Sequence, residues 1–226
     1  EALNNTAALG PSCNRAQAAP SATTLCRPTH VFISEQTGVK RLYVADTDNN
    51  RALIFDDPLN DAAADVVLGQ PSLVIGTPGV GAERLRAPQG VSVDAKGALW
   101  ISDTGNHRLM GFKPPFTSSG GASMIIGQLD AGGNLPNQGI TGRIIPAPSA
   151  TTLSRPRPAI FDESGRMLVP DQDNQRVLIY PKPGHLAAAQ LALGQDDLVH
   201  GGESRVKARS LAYPTAIAVD RRADAV

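Results

Sequence analysis

Three polar hexapeptides carry the groups that could do chemistry: DTDNNR at 46–51, DTGNHR at 103–108 and DQDNQR at 171–176. Each offers a carboxylate, an amide and a guanidinium within six residues, the donor and acceptor types used for acid–base work, metal ligation or anion binding. The steps between them, 57 and 68 residues, present the same set three times. Catalysis would need one copy to differ chemically from the others, whereas a repeated structural turn would not. Asp precedes Arg by five residues in every copy (Asp46 and Arg51, Asp103 and Arg108, Asp171 and Arg176), close enough across a hairpin turn for a charge-assisted contact. Asn49, Asn106 and Asn174 follow the Asp by three residues, where Asn tolerates positive φ and bonds its own backbone. The pattern predicts three fasteners of structure.

Each hexapeptide is flanked by strand-length apolar runs. RLYVA (41–45), ALWIS (98–102) and RMLVP (166–170) precede them, and ALIF (52–55), LMGF (109–112) and VLIY (177–180) follow, which predicts three hairpins. Upstream stand APQGVSVD (87–94), RPAIFD (157–162) and PTAIAVD (214–220), read as a further recurrent strand ending in Asp. A Leu-x-x-Pro lead-in, seen as LCRP, LRAP, LSRP and LAYP, places Pro28, Pro88, Pro156 and Pro214 where a strand need not donate to a ladder. VVLGQ (66–70), MIIGQ (124–128) and LALGQ (191–195) close each unit, and Leu9-Gly10-Pro11 resembles the remnant of an earlier copy. HLAAAQLAL (185–193) runs straight into the third Gly-Gln and reads as connection plus strand, because Pro and Gly interrupt every window long enough for a helix.

Four short strands repeated at regular spacing describe a β-propeller, with blades of about 60 residues where about 40–45 is usual. The expected division is 1–27 as the end of a preceding blade or a closing segment, blades at 28–87, 88–155 and 156–213, and the start of another at 214–226. The excess length follows each Gly-Gln, in PSLVIGTPGVGAER and LDAGGNLPNQGITGRIIPAPSATT, as candidate rim loops. Three and a half units do not make a customary ring, so the sequence predicts a partial ring or one completed by oligomerisation.

These residues resemble the NHL-repeat family of β-propellers, whose unit runs as Pro, Gly-Val-x-Val-Asp, Gly-x-Leu-Tyr-Val-Ala-Asp and x-x-Asn-x-Arg-Val. PQGVSVDAKGALWISDTGNHRLM (88–110) follows that pattern almost throughout; 41–55, 156–180 and 214–220 follow parts of it. The resemblance implies the propeller fold but no single activity, since the family spans protein-interaction and RNA-binding modules, extracytoplasmic sensors and a metal-associated lyase relative. The first expectation is a non-enzymatic interaction or scaffold module, binding protein or its own copies through rim loops and blade edges. The alternatives are a metal-dependent lyase or hydrolase with a site on the central axis, and an RNA-binding propeller with an arginine-bearing face.

Other candidate chemistry is sparse. No cofactor is expected, and a divalent metal has two conceivable seats. DTDNNRALIFDD (46–57) sets oxygens at calcium-loop positions but has Arg51 where the sharp turn needs Gly. Asp94, Asp162 and Asp220 could meet on the axis, or could hold strand-end turns. His30, His107, His185 and His200 occupy different places in the repeat; His107 shares a variable polar slot on an exposed turn with Asn50 and Gln175. PGVGAER (78–84) has the glycines of a phosphate loop without its Lys and reads as a flexible loop. Arg84, Arg86, Arg155, Arg157, Arg205, Lys207 and Arg209 could form a basic patch, or could pair with Glu83, Glu163 or Glu203.

Composition narrows the partners. Twenty-one basic and 21 acidic residues cancel, and five Phe, three Tyr and one Trp leave little for base stacking, which disfavours nucleic acid. No apolar run approaches a membrane span. The chain starts at Glu1 without an apolar leader, as a trimmed product would, and Asn4 stands in an Asn-x-Thr acceptor sequence. Cys13 and Cys26 are the two cysteines. Bridged, they place the protein in an oxidising compartment, secreted or periplasmic; as free thiols they fit the cytoplasm.

Overall fold

The computed structural model describes residues 13–35, 38–139, 144–202 and 209–220. Within them, twelve strands form three separate four-stranded antiparallel sheets. The first holds β1 (Pro28–Ser34), β2 (Arg41–Asp46), β3 (Arg51–Asp56) and β4 (Val66–Leu68). The second holds β5 (Gly90–Val93), β6 (Leu99–Asp103), β7 (Arg108–Phe112) and β8 (Met124–Ile126). The third holds β9 (Ile160–Phe161), β10 (Met167–Asp171), β11 (Arg176–Tyr180) and β12 (Leu191–Leu193). In each sheet the strands neighbour one another in chain order, the meander of a propeller blade. Helical structure among the described residues is confined to 3₁₀ turns of three or four residues.

The period-2 alternation of strands explains how the blades stack. In the first blade Tyr43, Ala45, Ala52, Ile54 and Leu68 point toward the second, which answers with Val91, Val93, Leu99, Ile101, Met110 and Phe112 in one buried cluster. One residue out of phase, Trp100, Leu109 and Ile126 of the second blade point the other way and meet Met167, Val169, Leu178 and Tyr180 of the third. Every blade thus has two unlike apolar faces, one for its predecessor and one for its successor. A one-residue slip in register would exchange them, so the pairing of Asp with Arg at the hairpin end of each ladder fixes which face is which.

The Leu-x-x-Pro and Gly-Gln motifs prove to be two halves of one joint. Gly69, Gly127 and Gly194 have φ of +83°, +98° and +92°, and Leu85, Leu153 and Leu211 lie where a Cβ would project. At Gly69 an added Cβ would stand 2.3 Å from Leu85 Cδ1. The leucine leading into one blade therefore seats on the glycine ending the blade before it.

Two expectations need correction. PTAIAVD (214–220) forms no strand, because a strand exists through its ladder and among the described residues nothing pairs with this segment as β6 pairs with β5. The Leu-x-x-Pro prolines also do not uniformly begin strands: Pro28 opens β1, but β5 begins at Gly90 and Pro156 makes only an isolated bridge to Asp171. Leu9-Gly10-Pro11 and Asn4 lie outside the described residues.

Replacing Gly69 by Ala is expected to cost about 2–4 kcal/mol, the sum of a left-handed backbone penalty and overpacking against Leu85. Urea unfolding would read this as a lower midpoint at unchanged slope.

Candidate functional site

Each hexapeptide folds into a buried polar hub. Asp46, Asp103 and Asp171 end β2, β6 and β10; Arg51, Arg108 and Arg176 begin β3, β7 and β11, and all six are fully buried. Arg Nε meets Asp Oδ2 at 2.7, 2.8 and 2.7 Å in the three copies. The same Oδ2 accepts the Asn49, Asn106 or Asn174 amide at 2.8, 2.8 and 2.7 Å. The other oxygen accepts the backbone N–H of Cys26, Arg86 or Ser154, at the lead-in to the same blade.

The remaining guanidinium donors hold the loops. Arg51 donates to the carbonyls of Leu73, Ser21 and Thr24, Arg108 to those of Ala131, Gly81 and Arg84, and Arg176 to those of Leu198, Ser149 and Thr152. Each arginine so ties the loop leaving its own blade to the loop arriving at it. Burial pushes the Asp103 and Asp171 carboxyls above their ordinary range, while Arg108 or Arg176, the backbone N–H and the Asn amide pull them back down. Since these carboxylates meet an arginine, an amide N–H and a backbone N–H, all donors, the anion is the form the hubs are built around.

Several expected roles shift accordingly. The residue with positive φ is not Asn49, Asn106 or Asn174 but the next one: Asn50, His107 and Gln175, at 52°, 56° and 55°. The Asn side chains are committed to the carboxylate instead, and 3₁₀ geometry over 47–49 and 104–106 moves the left-handed step one place on. Asn49 and Asn174 also exchange reciprocal amide bonds with Asn14 and Asn137. Asn106 of the second hub instead donates to the Gly79 carbonyl, and among the described residues its Oδ1 has no hydrogen-bond partner. Residues 78–84 are not a loose loop either, because Gly79 bonds Leu85 and the Gly81 carbonyl is held by Arg108.

Position five of the hexapeptide is also no exposed slot. The Asn50 carbonyl oxygen Oδ1 accepts the Ala87 N–H at 2.9 Å, and His107 Nδ1 accepts the Arg155 N–H at 3.1 Å, each reaching the lead-in of the following blade. Sequence reasoning missed this junction contact. Two more histidines bridge blades similarly, His30 Nδ1 accepting from Val91 at 3.4 Å and His185 Nδ1 from Ile125 at 3.3 Å. His200 instead stands with exposed Asp197.

Asp46, Asp94 and Asp162, three of the residues considered as metal ligands, are engaged in other contacts. Asp46 is consumed by Arg51; β2 enters 46–57 where a calcium loop would follow a helix, and β3 runs through its second half. Asp94 Oδ1 accepts the Lys96 and Ala98 N–H groups and Oδ2 the Trp100 indole; Asp162 holds Arg166 through backbone and side chain. These two cap turns. Among the described residues Cys13, Cys26 and Asp48 form one cluster of metal-ligand types, but the cysteines are joined in a disulfide and have no thiolate to give. Arg84 binds Thr77, and Arg157 Nε binds Gln172 at 2.7 Å, in place of the expected glutamates; Arg205, Lys207 and Glu203 lie outside the described residues.

Two features remain open. A cavity of about 250 Å³ lies between the first strands of the blades and residues 217–219, its wall apolar apart from His30 and Ser92. The successor-facing side of the third blade is uncovered: Leu193 is 46% exposed, where Leu68 and Ile126 in the same role are 1% and 0%, and Leu191 is 51% exposed, where Val66 and Met124 are half-buried. At the other end Val31 and Ile33 of β1 are exposed, where Val91 and Val93 of β5 are buried.

The family model of the NHL repeat matches residues 85–112, the stretch from the lead-in leucine through β5, β6, the second hub and β7. The first and third blades repeat the same hub around their own Asp and Arg. No curated protein matches the sequence. Among solved structures, the chain is similar to virginiamycin B lyase from Staphylococcus aureus, at 12% identity and TM-score 0.44 over 70% of this chain and 39% of that one. A streptogramin B lyase structure gives 12% identity and TM-score 0.42 over 74% and 40%. A 6-phosphogluconolactonase-like protein from Bacteroides fragilis gives 16% and 0.43 over 78% and 45%. The chain spans less than half the length of these proteins.

Removing the Asp103 carboxylate by Asp103→Ala leaves the Arg108 guanidinium buried without its counter-charge and is expected to cost about 3–5 kcal/mol. Thermal unfolding checks it; an unchanged melting temperature would contradict the role given to the NHL-repeat hub.

Proposed function

We propose that this chain is a non-enzymatic interaction module, a propeller arc that binds a further blade-like sheet, with a second copy of itself as the first candidate. The observation that carries this reading is the uncovered face of the third blade, where Leu193 stands open although its counterparts Leu68 and Ile126 are sealed by the following blade, and where Leu191 is exposed although its counterparts Val66 and Met124 are half-buried. Leu168 and Ile179 share that face by strand alternation and are partly exposed. An apolar sheet face flanked by unpaired backbone is a favourable surface for another sheet. Exposed Val31 and Ile33 give the opposite end a complementary apolar strip.

The reading also places the protein in an oxidising compartment, secreted or periplasmic. The Cys13–Cys26 disulfide supports that placement. No helix among the described residues is long and apolar enough to cross a membrane.

Light scattering on the purified chain tests the proposal. A mass at a multiple of 23.6 kDa is expected, falling to the single-chain value in the Leu191→Glu, Leu193→Glu double variant without a loss of fold by circular dichroism. A parent chain that stays at 23.6 kDa at all concentrations would overturn self-association.

A further inference from the structure

Both junctions have a histidine that accepts from a strand N–H, His30 at the first and His185 at the second, but at position five of the hexapeptide they differ. At the first junction the acceptor for the lead-in N–H is the Asn50 amide oxygen, which does not titrate in water. At the second it is the His107 ring, whose Nδ1 accepts the Arg155 N–H at 3.1 Å. An imidazole accepts at Nδ1 only while neutral, with its proton on Nε2; once both nitrogens carry protons, a donor faces a donor.

We propose that His107 is an acid-sensitive latch, whose protonation releases the third blade from the second. The charged groups acting on the ring are the Arg155 guanidinium of the third-blade lead-in and the Arg86 guanidinium of the second-blade lead-in, both positive. Its carbonyl accepts from the Gln128 amide, which is neutral, and Gly127 packs against that same carbonyl. Burial and these two arginines hold the ring down at about 4, against 6.5 for a free imidazole. Because the folded value is depressed, the open or unfolded state binds more protons between these values. Stability at the junction is therefore complete above about 6.5 and declines as pH falls toward 4.

The opening would uncover an apolar surface. Beside the latch, Trp100, Leu109, Ile126 and Leu153 pack against Met167, Val169 and Tyr180. Trp100 is the only tryptophan and is 1% exposed, so its emission reports on the packing of this junction, and its indole bond to Asp94 is common to the parent and the variants.

The test compares the parent chain with His107→Asn and His107→Gln, the residues that the first and third hexapeptides already carry at this position. Trp100 emission and the melting temperature are followed from pH 7.5 to 4. The parent is expected to shift to the red and lose melting temperature below about pH 6, while both variants match it at pH 7.5 and keep the blue emission at pH 4.5. A parent whose emission is unchanged down to pH 4 would overturn the proposal. So would an acid shift of equal size and midpoint in both variants, since another group would then be the one titrating.

Discussion

A carboxylate and a guanidinium buried together impose more on their surroundings than their own contact. Arg51, Arg108 and Arg176 each spend one N–H on the partner Asp, and a guanidinium has five. Out of reach of water, the others must find acceptors. They find them in carbonyls on both sides of the blade, so loops that composition alone would leave loose become ordered as a condition of burying the charge. The length of the connections after each Gly-Gln is explained in part by this demand: the chain must travel far enough past the guanidinium to present Leu73, Ala131 or Leu198 to it, and later Gly81 or Ser149 to the arginine of its neighbour.

The hub and the glycine–leucine joint act at the same rim of the arc and divide the labour between them. The hub holds a blade to its own incoming and outgoing loops, through charge. The joint holds one blade to the next, through shape, because the left-handed glycine gives the following leucine a place no side chain could share. Position five of the hexapeptide adds a polar link across the same junction, and its identity is free to vary because any acceptor of suitable reach will serve. The exchange of Asn50 for His107 is thus permitted by mechanics while it changes chemistry.

Much of this was legible in the sequence. Strand-length runs on either side of three Asp-to-Arg hexapeptides fix the hairpins, and the Gly-Gln ends fix the fourth strands, because local pattern and turn chemistry agree. What local pattern does not carry is depth. A hexapeptide of polar residues reads as exposed, yet Asp103, Asn106 and Arg108 lie among the most buried groups, since mutual pairing removes the need for water. Residues 214–220 have the composition of β5 but, among the described residues, no strand laddered beside them, and a run of residues does not announce whether a neighbouring strand will be present. One missed signal was available: SATTL occurs at 21–25 and again at 149–153, and both copies supply carbonyls to an arginine. That duplication marks 13–27 as the arriving loop of the first blade, with Cys26 in the place of Ser154.

The two faces of a blade are never alike, and this governs how arcs can be joined. The positions of Tyr43 and Trp100 always look toward the successor, and those of Leu99 and Met167 toward the predecessor. Two copies meeting through such faces cannot be related by a twofold axis, since that would set like against like. They must add head to tail, a heterologous contact. Such a contact closes into a ring when the rotation from copy to copy divides a full turn, and otherwise propagates as an open helical filament. The curvature of a single arc therefore decides between a finite particle and an unending one.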